Sequence, residues 1–97
     1  MKITQHTQPL FSLGQIVATP AALEALAAAG QTADEFIRRH MCGDWGELGA
    51  DDTAENQLAL SEGFRLVSSY AVSATLKMWI ITEADRSSTC ILLPSDY

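Results

Sequence analysis

The stretch that decides the fold is Phe64-Arg-Leu-Val-Ser-Ser-Tyr-Ala-Val72, Ser73-Ala-Thr75, Leu76-Lys-Met-Trp-Ile-Ile-Thr-Glu83. Phe64, Leu66, Ser68, Tyr70 and Val72 alternate with Arg65, Val67, Ser69 and Ala71, the period-two pattern of a strand. Ser73–Thr75 is a short turn. Leu76–Glu83 reads as a second strand, with Met78 and Ile80 on one face and Trp79 and Ile81 on the other. Apolar residues on both faces place it centrally in a sheet. Ala84 to Ser88 turns the chain. Thr89–Leu93 is a third strand, closed by Pro94. Three strands joined by short turns make an antiparallel meander.

Upstream the period changes. Phe11 to Ala18 reads as one N-terminal strand, with Gly14 marking a bulge. Thr19 is a good N-cap and Pro20 fits the first helical position, so a first helix starts there and stops at Gly30. Thr32-Ala-Asp-Glu35 has the form of a capping box and opens a second helix, with Phe36, Ile37, His40 and Met41 on one face. Asp44 to Ala50 is a loop. A third helix begins near Asp51 or Asp52, turns Ala54, Leu58 and Leu60 or Ser61 inward, and ends at Gly63. The expected architecture is α+β: one strand, three helices, then the meander, with the helices packed on one face of the sheet.

The 97 residues suit a single domain, residues 1–97. Twelve acids oppose six Lys and Arg, a net charge of −6. That balance argues against direct nucleic-acid binding, which needs a cationic surface, and against docking on anionic lipid. Lys2, Thr4, Gln5, His6, Gln8 and Pro9 interrupt the apolar run a signal peptide needs. Ala18 to Ala29 is too short to span a bilayer. Cys42 and Cys90 make no disulfide framework, so a reduced, cytoplasmic chain is expected.

Three groups of residues could carry chemistry. The first is His40-Met-Cys-Gly-Asp-Trp-Gly46, with an imidazole, a thiol and a carboxylate close in sequence. It lacks the second ligand pair of a structural zinc site, so no metal and no cofactor is expected. A histidine near a helix C-terminus is electrostatically biased toward its charged form. The second is Thr82–Thr89. Glu83 and Asp85 could act as bases there, and Arg86 could clamp a phosphate or carboxylate or pair with either acid. Folded together, His40, Asp44, Trp45, Glu83, Asp85 and Arg86 would form one polar site. The third is Asp44, Glu47, Asp51, Asp52, Glu55 and Glu62, half of the chain's acids within a stretch free of Lys and Arg. It suits an anionic surface that engages a basic partner protein.

Phe11-Ser-Leu-Gly-Gln-Ile-Val-Ala-Thr-Pro20, Gly43-Asp-Trp-Gly46, Asn56 with Ala59-Leu60, and Ile81-Thr-Glu-Ala-Asp-Arg-Ser87 running to Ile91-Leu-Leu-Pro94 and Tyr97 resemble a family of small bacterial proteins. Its members are carried by plasmids, prophages and integrative elements, and are sometimes labelled plasmid-related or given a restriction-modification name. Thr89-Cys90 stands where the family usually has two threonines, and Ser73–Thr75 where its turn is richer in glycine. The resemblance implies a mobile-DNA setting and supplies no catalytic residues.

Three functions fit these residues. The chain is an accessory protein of mobile elements that binds a host or element protein, in its sharpest form inhibiting a defence complex in the manner of an anti-CRISPR or anti-restriction protein. It is a small enzyme or ligand-binding domain built on the joint polar site. Or it is a structural homodimer joined through exposed Trp79 or Tyr70. Only the enzymatic reading requires the Gly43–Gly46 loop to fold against the Thr82–Ser88 turn.

Overall fold

The computed structural model describes residues 8–97, so the leader expectation on Lys2, Thr4, Gln5 and His6 lies outside the described residues. Element order is β1 (Gln15–Ala18), α1 (Pro20–Ala28), α2 (Ala33–Met41), α3 (Ala50–Glu62), β2 (Leu66–Ala71), β3 (Lys77–Thr82) and β4 (Ser88–Leu92), followed by a 3₁₀ turn at Pro94–Asp96. The fold is α+β with a four-stranded mixed sheet. Strands β2, β3 and β4 form the antiparallel meander. The first strand then adds parallel to β4, in the order β1-β4-β3-β2.

The local chemistry is specific. Thr19 accepts the Ala22 amide through Oγ1 at 3.1 Å and caps α1. Thr32 makes no side-chain cap, so the expected capping box is absent. Gly63 ends α3 in the left-handed conformation. β1 begins four residues later than the pattern suggested. Gly14, at φ +64°, presses so close to the Ser87 carbonyl that no Cβ would fit, and Phe11 turns into the core instead.

One sheet face carries Leu66, Ser68, Tyr70, Met78, Ile80, Thr82, Thr89 and Ile91, all buried. Ala22 and Leu26 of α1 and Phe36 of α2 close that core with Tyr70, Met78, Ile80 and Ile91. Burying each larger apolar side chain contributes roughly 2 kcal/mol. Tyr70 is thus a core residue, 1% exposed, so of the two aromatic residues named for a dimer it is not on the second face. Trp79 does lie on that second face, half-buried against Tyr97.

The third helix departs from the one-face arrangement. It runs along the β2 edge and buries Asn56 and Ala59, while Leu58 is 50% exposed. The reason is a hydrogen-bond pair. Asn56 Nδ2 donates to the Val67 carbonyl at 2.7 Å, and Asn56 Oδ1 accepts the Val67 amide at 3.2 Å. A side-chain amide thus stands in for a neighbouring strand. Two residues on, the Ser69 amide donates to the Trp45 carbonyl and the Ser69 carbonyl accepts the Glu47 amide. Asn56 and the Trp45–Glu47 loop therefore satisfy the outward edge of β2.

Candidate functional site

His40, at the inner end of α2, is fully buried. Its ring bonds on both sides, with Nδ1 2.6 Å from Ser68 Oγ and Nε2 2.9 Å from Thr82 Oγ1. Thr82 Oγ1 lies 2.7 Å from Thr89 Oγ1, which donates to the Leu13 carbonyl at 2.7 Å. These partners fix every proton. A carbonyl only accepts, so Thr89 spends its single proton on Leu13. Thr82 must then donate to Thr89, and His40 Nε2–H must donate to Thr82. The neutral ring accepts at Nδ1, so Ser68 donates there.

Burial pushes the His40 pKa from 6.5 down to about 4. Desolvation overrides the helix-end preference for the charged form expected from sequence. Ser68, His40 and Thr82 have the order of nucleophile, base and orienting group. All are sealed beneath the helices, so no substrate reaches them. The sequence signal for this chain of hydroxyls was a serine at an inward strand position. Locally Thr82 and Thr89 read as part of the hairpin end, because the register that pairs them is a long-range property.

The Gly43–Gly46 loop is also structural. Asp44 binds Arg39 at 2.7 Å, and its Oδ1 accepts the Gly46 amide at 3.2 Å. The Arg39 guanidinium holds the Asp44 carboxyl below its ordinary range. Arg39 also stacks 4.7 Å over the Tyr70 ring, whose hydroxyl donates to the Asp44 carbonyl. Trp45 is buried edge-on to His40, and its indole N–H has no partner among the described residues. Cys42 caps α2, Cys90 sits on β4, and both are free thiols.

At the opposite motif, Arg86 pairs with neither Glu83 nor Asp85. Nη1 donates to the carbonyls of Phe64, Glu83 and Ala84, and Nη2 to that of Ala59. Its guanidinium is thereby committed to the end of α3 and the hairpin turn. Asp85 is exposed and accepts the Ser87 amide, while Glu83 is exposed. Phe11 stands between the two motifs, 5.2 Å from the His40 ring and 5.7 Å from the Arg86 guanidinium carbon. The loop pairs with β2, and Phe11 touches His40 and Trp45 of the first motif and Arg86 of the second.

The acidic group fares differently. A groove of about 550 Å³ lies between the first half of α3 and the second sheet face. Glu47, Asp51, Asp52 and Glu55 line it, with Val67, Ser69, Trp79 and Arg65. Asp44 is tied to Arg39, and Glu62 sits at the far end of α3, so neither joins the other four. Among the described residues no three His, Cys, Asp or Glu side chains converge to hold a metal ion. No helix among them is long and apolar enough to cross a membrane.

Neither family models nor curated proteins nor solved structures give a match to this chain.

Proposed function

We propose that this chain is a small acidic protein-binding module, an accessory protein of mobile genetic elements that engages a partner with a basic surface. Its sharpest form is inhibition of a host defence complex. The carrying observation is the convergence of Glu47, Asp51, Asp52 and Glu55 on one groove. Such a field speeds encounter with a cationic partner. The resemblance to proteins of plasmids, prophages and integrative elements supplies the setting.

Affinity capture from a bacterial host, with mass spectrometry, tests this. Wild type should retain a protein with a basic surface that the Asp51→Lys/Asp52→Lys/Glu55→Lys variant loses. Identical captures from both proteins would overturn the proposal.

A further inference from the structure

We infer that the groove between α3 and the second sheet face seats an arginine side chain, carried on an extended basic segment of the partner protein. This rests on the binding reading above and names the chemistry recognised.

The groove's volume of about 550 Å³ falls within the range that holds a ligand of several side chains. Its cations are already engaged. Arg65, the one basic residue lining it, donates to the Tyr97 hydroxyl at 3.1 Å, and Lys77 pairs with Glu47 at 3.5 Å. Asp51, Asp52 and Glu55 have no ion-pair partner among the described residues. Asp51 and Asp52 suit the first turn of α3, where the helix dipole favours acids. Glu55 lies a turn further on, so helix stability does not account for it, and Glu47 precedes the helix and is held by Lys77. Asp51 and Glu55, four apart, share a helix face.

The floor selects among cations. Val67 and Trp79 line the same groove as the carboxylates and add an apolar and an aromatic side chain to it. A guanidinium is flat, weakly hydrated on its faces and rimmed with donors, so it stacks on an indole while bonding acids at its edge. A lysine ammonium is a compact, strongly hydrated charge that cannot do both. Backbone pairing with β2 is already taken by Asn56 and the Trp45–Glu47 loop. Recognition there must run through side chains rather than strand addition.

The test is calorimetric titration of the whole protein with a short peptide alternating arginine and serine. Lysine and citrulline versions run beside it, and the two indole N–H signals are followed by NMR. The arginine peptide should bind and shift the Trp79 signal more than that of Trp45. Its affinity should fall roughly tenfold between about 50 and 500 mM salt. The lysine peptide should bind several-fold more weakly and the citrulline peptide not measurably. Asp51→Asn/Glu55→Gln should lose about tenfold, whereas Asp34→Asn/Glu35→Gln, acids of α2, should change nothing.

Trp79→Phe, which keeps an aromatic floor, should retain more affinity than Trp79→Ala, with circular dichroism verifying that both are folded. Equal binding of the lysine peptide, or unchanged binding by the Asp51/Glu55 variant, would sink the guanidinium site. If no peptide binds while the charge-reversed protein still loses its captured partner, this inference fails alone. If the capture fails too, the binding reading falls with it.

Discussion

Arg86 Nη2 lies 3.1 Å from the carbonyl oxygen of Ala59, 27 positions earlier in the chain. A residue that reads as a phosphate clamp is thus the tie between a hairpin turn and a helix end. Arg86→Ala should cost about 2 kcal/mol, because several carbonyls lose a charged donor at once. Thermal melting should fall by roughly 10 °C. Arg86→Lys should recover little, since an ammonium lacks the fork. Arg86→Gly relieves the left-handed backbone at φ 61° and should still destabilise. A glycine variant as stable as wild type would show that the guanidinium contributes nothing.

Acid should weaken this protein through His40. The folded pKa of His40 is about 4, below its ordinary 6.5, so the unfolded chain binds the extra proton in that window. Stability therefore rises with pH from about 4 to 6.5 and is full above it. On acidification the loss approaches roughly 3 kcal/mol. Melting curves across the window would show the slope, and His40→Gln should flatten it. A level profile in wild type would mean that His40 is not held neutral by burial.

The hydroxyl relay specifies one tautomer, protonated at Nε2. Nitrogen NMR on the ring checks that directly. Thr82→Ser keeps the relay and should cost under about 1 kcal/mol. Thr82→Val matches its shape but strands the His40 donor and the Thr89 oxygen, a loss of about 2–4 kcal/mol in chemical denaturation. Equal stability of the two variants would contradict the proton order.

Asn56 holds both backbone groups of Val67. Asn56→Ala should remove about 2 kcal/mol and speed amide exchange at Val67. Asn56→Asp should be as harmful at neutral pH, because a carboxylate cannot donate to the Val67 carbonyl. Exchange at Val67 unchanged in both variants would refute the edge-capping role.

Much of the fold was legible. The alternation in β2 and β3, the Thr19-Pro20 start of α1 and the Gly63 stop of α3 are local signals, and each element lies where they put it. What failed was register against distant partners. Hydrophobicity alone places Leu58 inward, yet α3 turns Asn56 and Ala59 to the sheet, where Asn56 bonds the Val67 edge. Nothing local told which strand β1 would join. The candidate polar site shows the same limit. Its residue types suit chemistry, but the Arg39 that holds Asp44, the Phe11 between His40 and Arg86, and the backbone carbonyls that take the Arg86 guanidinium are all brought from elsewhere.

Glycine substitution separates space from backbone strain. A Cβ at Gly46 would sit 2.0 Å from the Ser69 carbonyl oxygen, whereas nothing lies within 4 Å at Gly30; both have positive φ. Gly30→Ala should cost about 1 kcal/mol, for the left-handed backbone alone. Gly46→Ala should cost at least about 3 kcal/mol, since the loop must leave β2. Similar melting temperatures for the two would mean that the loop yields freely.

Parallel addition of β1 to β4 also sets the order of assembly. The Thr89–Leu13 bond spans 76 positions and the Thr19–Asp96 bond 77. Closing so long a loop is entropically unfavourable until something rigid waits at the other end. The meander, joined by short turns, should therefore collapse first, and the first strand should dock after the rate-limiting barrier. Truncating Ile16 should then hasten unfolding while leaving the refolding rate almost untouched.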